Sequence, residues 1–215
     1  MKKAIYALII SILPLFLFQS CEVANGPDWY GISSNEVPAQ VGNALKNMYP
    51  NAESIEWEYR DGYYTAIFRS DGFMTEAWYN KDAYWLLSVT EVSYTALPQL
   101  VLNYIETHGY TPEYLEECDK ISRPHFVESY QVKCSTKELQ CTEAGYLIRG
   151  AESLSAPYPI EIPLAVWESI QTLYPNSLII DAVNEENWYI KVRTSDNNIA
   201  ELTLDIYGNE LDLQE

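Results

Sequence analysis

"VPAQVGNALKNMYPN" occupies Val37 to Asn51, and "IPLAVWESIQTLYPN" occupies Ile162 to Asn176, at a fixed offset of 125 residues. Each opens on an aliphatic residue and a proline. Valine follows three residues after the proline, an aliphatic residue seven after it, and Tyr-Pro-Asn from eleven after it. A related stretch, "LPQLVLNYIETHGY", runs from Leu97 to Tyr110. It has Pro98, Val101 and Ile105 in the matching places, and its aromatic residue comes one position later. Proline suits the start of a helix, where a backbone N–H has no partner to lose. Apolar residues three and four apart form one buried stripe. Pro50 and Pro175 then stop the helices. Three helices starting 60 and 65 residues apart predict tandem units rather than one irregular domain.

After the first helix the period changes from near four to two. "ESIEWEYR", "YYTAIFRS", "FMTEAWYN" and "YWLLSVTEVS" follow, with Asp61-Gly62 and Asp71-Gly72 between the first three. Asp-Gly between alternating runs is a hairpin signal, because both turn residues need positive φ. The third connection, Asn80-Lys81-Asp82-Ala83, is longer and lacks glycine. "SLIIDAV", "WYIKVRT", "IAELTLDI" and a short "LDL" repeat the pattern after the third helix. "FVESYQVKC", "ELQCTEA" and "YLI" are the strands legible after the second. The fold class is therefore α+β: tandem units, each a helix packed on an antiparallel meander. The division is 36–92, 93–150 (pairing with the first) and 151–215 (a partial further copy).

With Asp-Gly as two-residue turns, Tyr59 faces Tyr64, Trp57 faces Ala66 and Ile55 faces Phe68. Tyr79, Ala77 and Thr75 join that side, and Trp85, Leu87 and Val89 are expected beside them. This set is the expected core under the helix. A slip of one residue would reverse every side chain. The opposite face mixes acids with large apolar groups. Trp78, Tyr63, Ile67, Met74, Leu86 and Tyr84 on it are the candidate partner-binding residues, because aromatic and methionine side chains are enriched at interface centres. If that face is free, removing Trp78 and Tyr63 together leaves folding intact.

The first 20 residues read as a signal peptide: Lys2 and Lys3, an apolar run too short to span a bilayer, then "LFQSC". Cys21 is the expected lipidation site, although Phe18 stands where leucine is usual, and 21–35 reads as a tether. The expected location is periplasmic or cell-surface, with the lipid anchored in the outer membrane. The formal charge of the whole chain is −18, and without Lys2 and Lys3 it is about −20. That argues against nucleic acid and anionic lipid surfaces, which need basic side chains to displace counterions. The membrane is then reached only through the lipid anchor. Cys118, Cys134 and Cys141 remain after Cys21. If Lys137-Glu138 were a two-residue turn, Cys134 and Cys141 would face each other and could pair. The other reading is buried thiols.

No HExxH, GxSxG, phosphate-binding glycine loop or paired CxxC occurs, so no catalytic residues are assigned and the chain is read as a non-enzyme. His108 and His125 read as structural. Glu116-Glu117 and Glu185-Glu186 read as solvated loop pairs. No cofactor is expected. Calcium is the alternative: the charge favours it, but the loop code D-x-[DN]-x-[DN]-G is missing. Asn80, Asp82, Asp196, Asn197 and Asn198 are oxygen-bearing residues of a kind turns favour anyway.

Val37, Pro38, Tyr49-Pro50-Asn51-Ala52, Trp57, Glu76-Ala77-Trp78-Tyr79 and Leu97-Pro98 together resemble the PepSY-like lipoproteins of Bacteroidetes. That family has a fold similar to the beta-lactamase inhibitor protein. The resemblance covers 36–149, with 160–213 as a further partial copy. Where the family commonly has Asp-Gly before "WL", this chain has Asp82-Ala83, and the middle unit's cysteines also depart from the family pattern. The resemblance implies helix-on-sheet units and a concave sheet able to hold a partner. It does not imply inhibition of a beta-lactamase, because fold does not fix function. The expected function is non-catalytic, inhibitor-like binding of a protein or peptide of the cell envelope by a monomer. A cation-responsive periplasmic module is the first alternative and an enzyme of unknown type the second.

Overall fold

The computed structural model describes residues 29–109, 115–134, 137–151 and 154–211. The signal-peptide and lipidation readings, including Cys21, lie outside the described residues. Among the described residues the strands are β1 (Trp29–Ile32), β2 (Glu53–Arg60), β3 (Tyr63–Ser70), β4 (Phe73–Tyr79), β5 (Trp85–Glu91), β6 (Leu115–Ser122), β7 (Ser129–Cys134), β8 (Lys137–Thr142), β9 (Leu147–Ala151), β10 (Leu178–Asn184), β11 (Trp188–Arg193) and β12 (Ile199–Leu204). The helices are α1 (Ala39–Met48), α2 (Gln99–Thr107) and α3 (Leu164–Leu173). Strands β1 to β9 form one antiparallel meander in chain order, and β10 to β12 form a second, smaller sheet.

The prolines 38, 98 and 163 cap the helices, each with extended ψ near 135–142°. The valine three residues on and the aliphatic residue seven on are the buried ones. They are Val41 and Leu45, Val101 and Ile105, and Val166 and Ile170. Each pair anchors one core. The first holds Trp57, Ala66, Phe68, Ala77 and Tyr79 beneath α1. The second holds Cys118, Tyr130, Val132 and Cys141 beneath α2. The third holds Ile179, Trp188, Ile190, Val192 and Leu204 beneath α3. Tyr49, from the Tyr-Pro-Asn stop, packs on Phe68 at 4.8 Å and donates to the Ser88 hydroxyl at 2.7 Å.

Both Asp-Gly turns have positive φ at both residues: Asp61 49°, Gly62 93°, Asp71 51° and Gly72 89°. They set the expected registers, Tyr59 to Tyr64, Trp57 to Ala66 and Tyr64 to Tyr79. Three expectations need correction here. Ile55 does not face Phe68 in simple register, because a bulge at Ser54-Ile55, with Ser54 at φ 54°, puts Glu53 opposite Arg69. Leu87 and Val89 are not under the helix. Tyr79 pairs with Trp85 but Trp78 pairs with Leu87, so Leu86 is an extra residue and the strand beyond it reverses faces. Part of the expected tether is structured, since Trp29–Ile32 adds an edge strand to β2.

The middle unit is more regular than its sequence suggests. Leu115–Ser122, whose Glu116-Glu117 read as a loop pair, is a strand joining β5 to β7. The register of β7 against β8 places Cys134 opposite Lys137 and Cys141 opposite Tyr130. A Cys134–Cys141 cross-strand disulfide is therefore excluded by register. Cys141 is a free, buried thiol, and burial pushes its pKa up to about 11.

The small sheet docks on the large one through backbone. Val127 N–H donates to the Ile179 carbonyl and Ile179 N–H to the His125 carbonyl, each at 2.9 Å. Side chains add to this. Phe126 packs into the α3 core, His125 stacks on Trp167 at 4.0 Å, Arg193 pairs with Glu143 at 3.1 Å, and Arg149 pairs with Asp181.

Two stability outcomes follow. Ala83 sits at φ 66°, where a Cβ costs roughly 1 kcal/mol. Ala83→Gly, the residue common in the resembled family, should raise the denaturation midpoint by about 0.5–1 kcal/mol equivalent. Trp78 is 2 % exposed in a second core with Leu87 and Ile121. Trp78→Ala should cost about 3–5 kcal/mol by urea unfolding, against the sequence expectation of an intact fold.

Candidate functional site

The face of the large sheet away from α1 and α2 carries Glu58, Tyr63, Thr65, Ile67, Met74, Glu76 and Trp78, as the register requires. The bulge at Leu86 adds Leu87, Val89 and Glu91 to it. Strand β6 adds Ile121, Asp119 and Glu117 through the pairs Val89–Ile121 and Glu91–Asp119. Farther along lie Ser129, Gln131, Gln140 and Arg149. The face therefore changes from aromatic and acidic at one end to amide and arginine at the other.

It is not bare. The stretch "SAPYPIEIP" (155–163) runs across it. Pro157, Pro159 and Pro163 fix its φ values, remove donors and hold the preceding residues extended, so it crosses the face without joining the ladder. Tyr158 of this strap packs on Trp78 at 5.4 Å and on Tyr63 at 5.9 Å, while Tyr63 and Trp78 are 6.1 Å apart. Tyr63 donates to Glu161 at 2.9 Å and Tyr158 donates to Asp61 at 3.5 Å. Burial and the Glu161 carboxylate hold the Tyr63 phenol well above its usual range. The Trp78 indole N–H donates to Glu76 at 2.5 Å, and Arg60 reaches Glu76 at 3.1 Å and lies 5.3 Å from the indole ring.

The strap divides the face into two cavities. One, of about 440 Å³, has Ile67, Met74, Trp78 and Val89 in its lining together with Glu76, Glu91, Glu117 and Asp119. Burial, followed by Glu117, Glu91 and Glu76, pushes the Asp119 carboxyl up to about 6. The other, of about 420 Å³, holds Arg123, Arg149, Gln131 and Gln140. Ala156, Pro157 and Tyr158 line both.

Of the six candidate residues, the structure brings Trp78, Ile67 and Met74 to the acidic cavity, with Tyr63 packed against Trp78 beside it. Trp78 is a covered wall rather than an open platform. The other two are elsewhere. Leu86 is buried at the bulge, and Tyr84 stands 68 % exposed in the β4–β5 connection. Sequence reasoning missed Val89, Glu91, Glu117, Asp119 and Tyr158. The alternation of "LEECDKIS" and the spaced prolines of the strap were the available signals.

The turn residues weighed for calcium satisfy each other. Asn80 accepts from the N–H groups of Asp82 and Tyr84, and Asp196 accepts from Thr194 and Asn198. Among the described residues no three His, Cys, Asp or Glu side chains gather to hold a metal ion. His108 stacks on Tyr104 at 4.0 Å at the end of α2.

Residues 62–149 match a family model described as "Putative beta-lactamase-inhibitor-like, PepSY-like". Nothing among the curated proteins matches the chain. The crystal structure of a BLIP-like protein from Bacteroides fragilis is 27% identical. It covers 57% of this chain and 92% of that one, with a TM-score of 0.52. A DUF2874 family protein from Bacteroides uniformis is 26% identical over 54% of this chain and 88% of that one, with a TM-score of 0.49. A Bacteroides eggerthii structure, described under "putative periplasmic proteins", is 25% identical over 54% and 88%, with a TM-score of 0.49. Residues 62–149 thus resemble the PepSY-like family, and just over half of the chain shares the fold of a BLIP-like protein.

Proposed function

We propose that this chain is a non-catalytic, extracytoplasmic lipoprotein that binds a protein partner, inhibitor-like, through the acidic cavity of its large sheet. The partner presents a basic, aliphatic-flanked segment. One observation carries this reading: four carboxylates stand around apolar side chains in one cavity, where burial first and the neighbouring carboxylates second push Asp119 up to about 6. A lysine or arginine entering there relieves that repulsion, and its aliphatic stem covers Ile67, Met74 and Val89. Arg60 answers Glu58 and Glu76, leaving Glu91, Glu117 and Asp119 facing the cavity from the far strands. The resemblance to inhibitor-like proteins supports a binding role. The basic, apolar start of the sequence with Cys21 supports export and anchoring.

The test is fluorescence anisotropy with labelled peptides of alternating Lys and Leu, against Glu-Leu peptides of equal length. The Lys-Leu peptide is expected to bind. Asp119→Asn with Glu117→Gln should weaken it about tenfold. Affinity should fall as pH drops through about 6, because Asp119 then takes up a proton and loses its charge. Equal binding of both peptides, or indifference to the substitutions, would rule the cavity out. Anchoring has its own check. Cys21→Ser is expected to move the protein from the membrane to the soluble envelope fraction and to abolish labelling by radioactive palmitate.

A further inference from the structure

The second cavity has the opposite character. Arg123 and Arg149 line it, with Asp181 as the one carboxylate in the lining. Arg149 already pairs with Asp181. Arg123 Nη2 donates to the Tyr158 carbonyl at 3.2 Å, and among the described residues its buried Nε has no hydrogen-bond partner. A guanidinium carries five donors and stays charged in proteins. Burial, with Arg149 nearby, lowers the Arg123 pKa to about 10, which still leaves it a cation at neutral pH. Arg123 is half-buried, it lies 5.8 Å from the Phe126 ring, and the carboxylate that acts on it, Asp181, is already paired with Arg149. The amides of Gln131 and Gln140 and the Ser129 hydroxyl also line the space, and Gln140 is held by its bond to Ser129 at 3.0 Å.

We infer that this cavity is a binding site for the carboxylate of a small organic acid, with Arg123 as its counter-charge and the glutamine amides as supporting donors. The cavity of about 420 Å³ is of small-molecule size. The planar guanidinium fork matches a planar carboxylate. The prolines of the strap hold its wall in place. The site is independent of the acidic cavity: the two share only Ala156, Pro157 and Tyr158.

The test is thermal unfolding of the folded chain with succinate, acetate or phosphate, each against sodium chloride at equal ionic strength. Succinate or acetate should give a saturable rise in melting temperature, about 5 °C at a hundredfold excess over Kd. Arg123→Gln should remove that rise while leaving the melting temperature without ligand equal or higher, because it deletes a partly desolvated charge that stands beside Arg149. The Arg123 Nε–H resonance of arginine-labelled wild-type protein should move along the same titration curve, which keeps the question decidable if the variant fails to fold. No saturable effect beyond chloride, an equal effect in Arg123→Gln, a response to phosphate alone, or an unmoved Nε–H signal would each overturn the assignment.

Discussion

Burial of the Trp78 ring against Leu87, Ile121 and Tyr158 is the contact on which the arrangement of the far face depends. Two local features make it. The extra residue Leu86 turns Leu87 and Val89 over to the Trp78 side, and the proline-spaced strap brings Tyr158 down on top. A fully buried tryptophan removes roughly 150–250 Å² from water, so the contact is worth several kcal/mol. That is enough to hold an otherwise extended segment across a sheet it cannot join by hydrogen bonds. The same strap leads into α3, so its seating also fixes where the third helix and the small sheet begin.

The electrostatic consequence is a division of charge. On one side of Tyr158, Glu91, Glu117 and Asp119 crowd together until burial and repulsion raise Asp119. On the other, Arg123 and Arg149 crowd together until burial and repulsion lower Arg123. The two groups do not neutralise each other: Glu91, Glu117, Asp119 and Arg149 are fixed by strand register, Arg123 stands just past the end of β6, and the strap lies between. Rigid placement of like charges is a cost to folding, and it is also preorganisation, since a ligand of the opposite sign finds the site already formed.

The family match ends at residue 149. The strap and the third helix with its small sheet lie beyond that segment. The strap covers part of the sheet face of the matched segment, through Tyr158 on Trp78 and Tyr63. Tyr158 covers Trp78, so the aromatic part of that face is not bare, and the two cavities lie to either side of the strap.

The sequence alone determined the elements whose causes are local. Proline at each helix start, the apolar residues three and seven after it, and Asp61-Gly62 and Asp71-Gly72 set helices and hairpins through neighbours a few residues away. They put Trp57, Tyr79 and Phe68 on one face and Trp78, Ile67 and Met74 on the other. Only the tertiary structure decided what covers that second face. A bulge at Leu86 has no sequence signature as firm as Asp-Gly, and an acidic strand such as Leu115–Ser122 reads as loop until its partners are known. The seating of Tyr158 on Trp78 joins residues 80 positions apart, so it is set by the geometry of the assembled sheet rather than by any local propensity.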